Sequence, residues 1–275
     1  MLEELGEADA RGEIAQLYDE MRRLTGVRYV SSMQRHLATR PGWIEWAWGA
    51  VRPAFASGAA QEAAWRLSET AEIEPLAPIS REALRVLGLN GEDERSIRSI
   101  CDNFIRVSPT NILFGGLLRR LLEGAKPSGA ASLERDWTPP PPLDPLPSLV
   151  DLATIAPDLR ALVMRFSVEV AGEPFVPGLY RLIARWPGFT AHVATVLGPR
   201  LDDPRVVEAC AALAGRIDAE AARLVAFLPP AGAPPPARDE AEIAEIVGAL
   251  RSYGAISPQL IVHARLIRNA LPAPA

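Results

Sequence analysis

The 275-residue chain is 48% apolar and 23% charged, the balance of an ordinary soluble globular protein, and its net charge of −5 argues against the basic stripe that nucleic-acid binding requires. It has no uncharged apolar run long enough to span a membrane, and the acidic opening Met1-Leu2-Glu3-Glu4-Leu5 reads as neither a signal nor a transit peptide. Cys101 and Cys210 are the only cysteines; as lone thiols in apolar, helix-like settings they are expected to be buried, and the chain to be cytoplasmic.

Apolar spacing predicts an amphipathic helix over residues 3–25, ended by Gly26 in a left-handed position. A second helix is predicted from Tyr29–Ser32 to Thr39, where Pro41 biases Arg40 out of helical geometry. A third starts at Trp43, and the crowded Trp43, Trp46 and Trp48 point to core or interface. Further helices are expected over Gln61–Ala71, behind a Ser80 N-cap, over Glu92–Phe104 after an Asn90-Gly91 turn, and from Ser108-Pro109 to about Glu123. A serine cap followed by proline suits a helix start. Residues 125–147, with Pro139-Pro140-Pro141-Pro142, Pro145 and Pro147, read as an extended linker. Beyond it helices are expected over Pro157–Val170, Phe175–Ala184, Pro187–Leu197 and Asp203–Phe227. After a proline-rich loop at Pro229–Pro236 come Asp239–Leu250 and a last helix from Ser257-Pro258. No period-2 alternation rich in β-branched residues stands out, so the predicted class is all-α.

Two stretches recur in order. Tyr29-Val30 through Pro41-Gly42-Trp43 returns as Phe175-Val176 through Pro187-Gly188-Phe189, with Arg35 matching Arg181 and Leu37-Ala38 matching Ile183-Ala184. Ser108-Pro109 with Leu117-Leu118-Arg119 returns as Ser257-Pro258 with Leu266-Ile267-Arg268. The expectation is a tandem duplication: a first helical repeat over 1–124, the linker 125–147 and a second repeat over 148–275, facing each other as a covalent pseudo-dimer. A cleft between such repeats would be lined from both, a common ligand site.

Dinucleotide, phosphate-loop, zinc-protease, serine-hydrolase and calcium-loop motifs are missing. His36, His192 and His263 are far apart and unpaired in sequence, so neither a metal site nor a cofactor is expected. A cysteine peroxidase is excluded for want of CxxC.

Gly12-Glu13-Ile14 through Tyr18-Asp19-Glu20, Val27-Arg28-Tyr29-Val30, Leu37-Ala38-Thr39, Pro41-Gly42-Trp43 and Ala47-Trp48 resemble the first half of group I 2-haloacid dehalogenases. The Ser108-Pro109 segment, the linker and the Leu-Ile-Ala-Arg-Trp-Pro run ending at Pro187 resemble the rest. The resemblance implies an all-α internal pseudo-dimer, similar to alkylhydroperoxidase D-like helical folds. It also implies direct hydrolysis, in which an aspartate activates a water that displaces halide at C2 with inversion.

Carried over by position, the family's substrate-lining Trp is Tyr29, its Phe is Ser32, and its water-holding Asn is Asn111, shortly after Ser108. The family's Ser-Asp pair, which includes the base, falls on Gly178 and Leu179, with Tyr180 beside it as pocket wall. Leucine cannot take a proton, so the resemblance implies a member without its base. Expected lining residues are therefore Tyr29, Ser32, Ser108, Asn111, Gly178, Leu179 and Tyr180, around a small-molecule ligand such as a small carboxylic acid. A relocated base would be Glu173, whose pKa a pocket could raise; the plainer reading is a solvated loop residue. His36 reads as a satisfied histidine, and Asn111 equally as a residue bonding its own helix start. Three functions stay open: a dehalogenase-like protein without efficient dehalogenation, a 2-halo acid hydrolase using Glu173, and a non-catalytic ligand-binding or interaction protein. Association as a homodimer is left open.

Overall fold

The helix ends show where local chemistry decided the fold and where packing overruled it. In the computed structural model, which describes residues 3–70, 73–129, 136–170, 173–235 and 240–274, α1 is Gly12–Thr25. It stops as expected at Gly26, whose φ of 66° lets its N–H reach the Arg22 carbonyl. It starts nine residues later than predicted. A turn at Gly6 takes the amides of Asp9 and Ala10, and Gly12 is itself left-handed. The preceding segment is instead pinned to α2 (Ser32–Leu37), where Leu5 N–H donates to the Arg35 carbonyl.

Next come α3 (Trp43–Ala56) and α4 (Ala59–Glu69). Trp43 and Trp48 are core residues, and Trp46 meets Trp43 edge-on at 6.0 Å. Trp48 donates to Glu20 and Trp46 to the Gly232 carbonyl, the kind of partner an indole N–H seeks. Ser80 caps α5 (Arg81–Val86) as expected, accepting from Ala83 N–H at 3.2 Å.

The clearest correction is α6, a single helix Gly91–Leu122 with Pro109 inside it. Likewise α11 runs unbroken over Glu240–Ala270 through Pro258. Each proline is the nineteenth residue of its helix (91 to 109, 240 to 258). An interior proline costs about 3 kcal/mol by deleting one backbone bond and crowding the preceding turn. Apolar contacts on both sides outweigh that cost: Ile97, Ile100, Leu113, Leu117 and Leu118 of α6 are fully buried.

Between these long helices lie α7 (Pro157–Met164), α8 (Gly178–Ile183), α9 (Pro187–Val196) and α10 (Pro204–Val225). The helix predicted through Val170 ends early. Val168–Val170 is instead strand β1, paired antiparallel with β2 (Glu173–Phe175), Val168 opposite Phe175. β-branched Val168 favours the extended form. This hairpin is the only sheet among the described residues, and the fold is all-α. The described parts of 125–147 carry no regular structure; the expected helix ends Ala71 and Asp239, and Pro236, lie outside the described residues.

Two compact units emerge. Unit 1 comprises Met1–Thr70, Arg106–Pro145 and Leu213–Ser257; unit 2 comprises Ala71–Ile105, Leu146–Ala212 and Pro258–Ala275. In unit 1, α3 packs on α1, α2 and α4; in unit 2, α9 packs on α7 and α8. Cys101 and Cys210 are free and buried, and burial pushes both thiols up, Cys210 to about 11. No helix of the described residues is long and apolar enough to cross a membrane.

Candidate functional site

The candidate residues fall four in each unit. Tyr29, Ser32, Ser108 and Asn111 belong to unit 1; Glu173, Gly178, Leu179 and Tyr180 belong to unit 2.

In unit 1 the short helix α2 and the second part of α6 present a polar cluster. Asn111 is half-buried, and its Oδ1 accepts from Gln34 Nε2 at 3.1 Å. Gln34 is 6% exposed, and its own Oε1 is buried without a donor. Ser32 Oγ accepts from Arg35 at 3.4 Å and shares a hydrogen bond with Tyr253. Burial raises the Tyr253 phenol, an effect the Ser32 bond partly offsets. Tyr29 is half-buried before α2; desolvation pushes its phenol well up, with Arg35 pulling weakly the other way. Ser108 is a buried helix-interior residue rather than a cap.

The carboxylates near this cluster are engaged. Glu4 and Glu7 bind Arg35, and Glu7 also accepts from Val30 N–H and binds Arg22. The local chemistry is therefore that of hydroxyls and carboxamides, suited to hydrogen bonding rather than proton abstraction. His36 is the satisfied histidine the sequence suggested. Its Nδ1 lies 2.8 Å from the Glu3 carbonyl and its Nε2 2.8 Å from Arg40.

In unit 2, Gly178 is the first residue of α8. A Cβ there would touch Phe104 and Leu149 at 3.5 and 3.6 Å, ordinary van der Waals distances. Leu179 is 0% exposed, a core side chain. Tyr180 is buried too, stacked on Phe166 at 4.3 Å and hydrogen-bonded through its hydroxyl to His263 Nδ1 at 2.6 Å. Burial raises the Tyr180 phenol and lowers His263 to about 4, so the imidazole is neutral and can accept. Glu173 opens β2 and is exposed.

Sequence reading missed Gln34 and the partner of His263. A signal existed, for Gln34 and Tyr180 hold matching places in the repeated stretch. Each is buried, and each bonds a long proline-containing helix, Gln34 to Asn111 of α6 and Tyr180 to His263 of α11. Among the described residues no three His, Cys, Asp or Glu side chains gather as a metal site would require.

The fold is that of D-2-haloacid dehalogenases. The structure of one in complex with L-LA matches with a TM-score of 0.74 at 19% identity, covering 98% of this chain and 96% of the other. A mutant complex with D-2-CPA matches with a TM-score of 0.73 at the same identity and coverage. Sequence comparison points the same way. An (R)-2-haloacid dehalogenase of Pseudomonas putida is 26% identical over 231 residues, 78% of this chain and 72% of the relative. A configuration-inverting 2-haloacid dehalogenase of Alcaligenes xylosoxydans xylosoxydans is 27% identical over 192 residues, 67% of this chain and 64% of that relative. No family model matches the chain. These relatives and structural neighbours are all 2-haloacid dehalogenases, which supports the family resemblance carried by the residues.

Proposed function

We propose that this chain is a dehalogenase-like protein that holds a small carboxylic acid and does not efficiently hydrolyse 2-halo acids. The observation that supports this most is Leu179. It stands where the resemblance puts the general base, and it is an apolar side chain with no exposed surface. A positioned acid or base contributes on the order of 10²–10⁴-fold to such a reaction, and Leu179 can contribute none of it. The names of the relatives, all enzymes acting on 2-halo acids, supply the ligand class. A hydrolytic version would need Glu173 as base, and its exposed place on the hairpin weighs against that. A purely ligand-binding version needs no ionisable group at the site.

Thermal melting with added propionate or 2-chloropropionate tests the ligand class. A ligand that binds only the folded chain stabilises it by RT ln(1 + [L]/Kd), about 2.7 kcal/mol at a hundredfold excess over Kd. The expected result is a melting temperature that rises with acid concentration and saturates. Melting unchanged by either acid up to tens of millimolar would contradict the reading.

A further inference from the structure

In unit 1 the C-terminal ends of α1 and α3 are each followed by a left-handed glycine, Gly26 after α1 and Gly58 after α3. Gln61, fully buried, ties the two ends together: its NH₂ donates to the Leu24 carbonyl at 3.1 Å and to the Phe55 carbonyl at 2.9 Å. Part of the stretch expected to be a free extended linker lies across these glycines. A Cβ on Gly58 would stand 2.3 Å from the indole of Trp137, and one on Gly26 2.9 Å from Pro140 Cγ. The backbone of the stretch is held as well. Arg106 donates to the Gly26 carbonyl at 3.1 Å and to the Pro141 carbonyl at 2.8 Å. Arg28 Nε donates to the Leu143 carbonyl at 3.1 Å, and Leu143 N–H to the Gly26 carbonyl at 2.9 Å. Residues 137–143 are therefore seated on unit 1 by groups far from them in sequence.

Four successive prolines donate no amide hydrogen, and each confines its predecessor to extended backbone. Such a segment has no internal hydrogen bonds to lose on leaving its seat and little conformational freedom to lose on returning. Separate domains recognise proline-rich peptides on the same terms, through a preformed extended chain docked on an aromatic-lined groove. Here the aromatic ring is on the docked segment and the flat seat is made of glycines. Trp137, Pro139, Pro140 and Leu143 are only half-buried, and Thr138, Pro141 and Pro142 are exposed, so undocking costs far less than global unfolding. We propose that residues 137–143 are a latch, a built-in proline-rich ligand that leaves and re-enters its seat while the rest of unit 1 stays folded. Its bonds to Gly26 and Arg28 make the closed latch fix residues 26–30, the segment that carries Tyr29 into α2. The open latch frees that segment.

Hydrogen exchange on the intact chain, read by mass spectrometry, tests the latch. Trp137→Ala should speed exchange of the amides of residues 26–31 by at least about tenfold and leave those of residues 112–118, in the buried part of α6, unchanged. Gly58→Ala, which puts a methyl where the indole lies, should give the same local pattern. A peptide of residues 136–144, added to Trp137→Ala at the millimolar level a short tether supplies, should restore protection at 26–31. The same peptide with alanine in place of its tryptophan should not. Equal acceleration at 26–31 and 112–118 would overturn the proposal, since the segment would then belong to the global fold. Unchanged exchange at 26–31 would overturn it too, as would a failure of the intact peptide to restore protection.

Discussion

At the scale of single residues, the Tyr180–His263 pair makes a pH-dependent claim. His263 titrates near 6.5 when unfolded and at about 4 in the fold, because burial disfavours its charged form. The unfolded chain therefore takes up the proton first as pH falls. Stability from this group is complete above about pH 6.5 and drains as pH drops toward 4, by roughly 2–3 kcal/mol between pH 7 and 4.5. Denaturant melts of His263→Phe should show a smaller loss over that interval by about that amount. Phenylalanine is what Phe114 supplies at the corresponding place of the first repeat. An identical pH slope in wild type and variant would refute the assignment. Leu179 makes the opposite kind of claim. Leu179→Asp should cost several kcal/mol by burying an unpaired carboxylate, rather than restore a base. How much of this was readable in the chain differs by residue. Leu179 and Asn111 were legible as positions through the resemblance, but burial depends on neighbours distant in sequence. Gln34 was legible only as the match of Tyr180 in the repeated stretch, because its role rests on a bond to Asn111, 77 residues on.

Single elements carry their own tests, and the repeated Pro-Gly-aromatic shows that like sequence can serve unlike ends. Gly42 has a φ of 77° and caps α3 in the left-handed region. Gly188 is an ordinary helical residue whose missing side chain admits the Leu87 carbonyl; a Cβ would sit 2.5 Å from that oxygen. Gly42→Ala should therefore cost about 1 kcal/mol, the ordinary left-handed penalty. Gly188→Ala should cost more, about 2–3 kcal/mol, since backbone must move to admit the methyl. Urea melts of the two variants check the order, and equal costs would contradict it. Helix existence was largely readable from periodicity and caps. The joined helices α6 and α11 were not, because Ser-Pro carries the same local signature at a helix start and inside a helix whose packing tolerates the lost bond. The β1–β2 hairpin escaped notice because three-residue strands are too short for alternation to register.

For the whole molecule, four kinds of element recur in the same order in the two halves. A helix (α1, α7) is followed by a six-residue helix (α2, α8), then one opened at Pro-Gly-aromatic (α3, α9), and last a long helix with an internal proline (α6, α11). We propose that this order records a duplication of the repeats 1–124 and 148–275. The compact units do not follow those repeats, since each takes chain from both. Neither repeat expressed alone should fold cooperatively, whereas residues 1–135 and 136–275 produced together should. A sharp thermal transition from either fragment alone would contradict this. Sequence self-similarity suggests the repeats and could not reveal the units, because chain ancestry and three-dimensional contact are different partitions of the same residues. Chloride release from (R)- and (S)-2-chloropropionate by purified protein tests most directly the proposal that this dehalogenase fold lacks the family's base. A site with Leu179 at the base position should release no chloride above the buffer rate for either enantiomer, with wild type and Glu173→Gln indistinguishable. Sustained multiple-turnover release from either enantiomer, lost on Glu173→Gln, would contradict it.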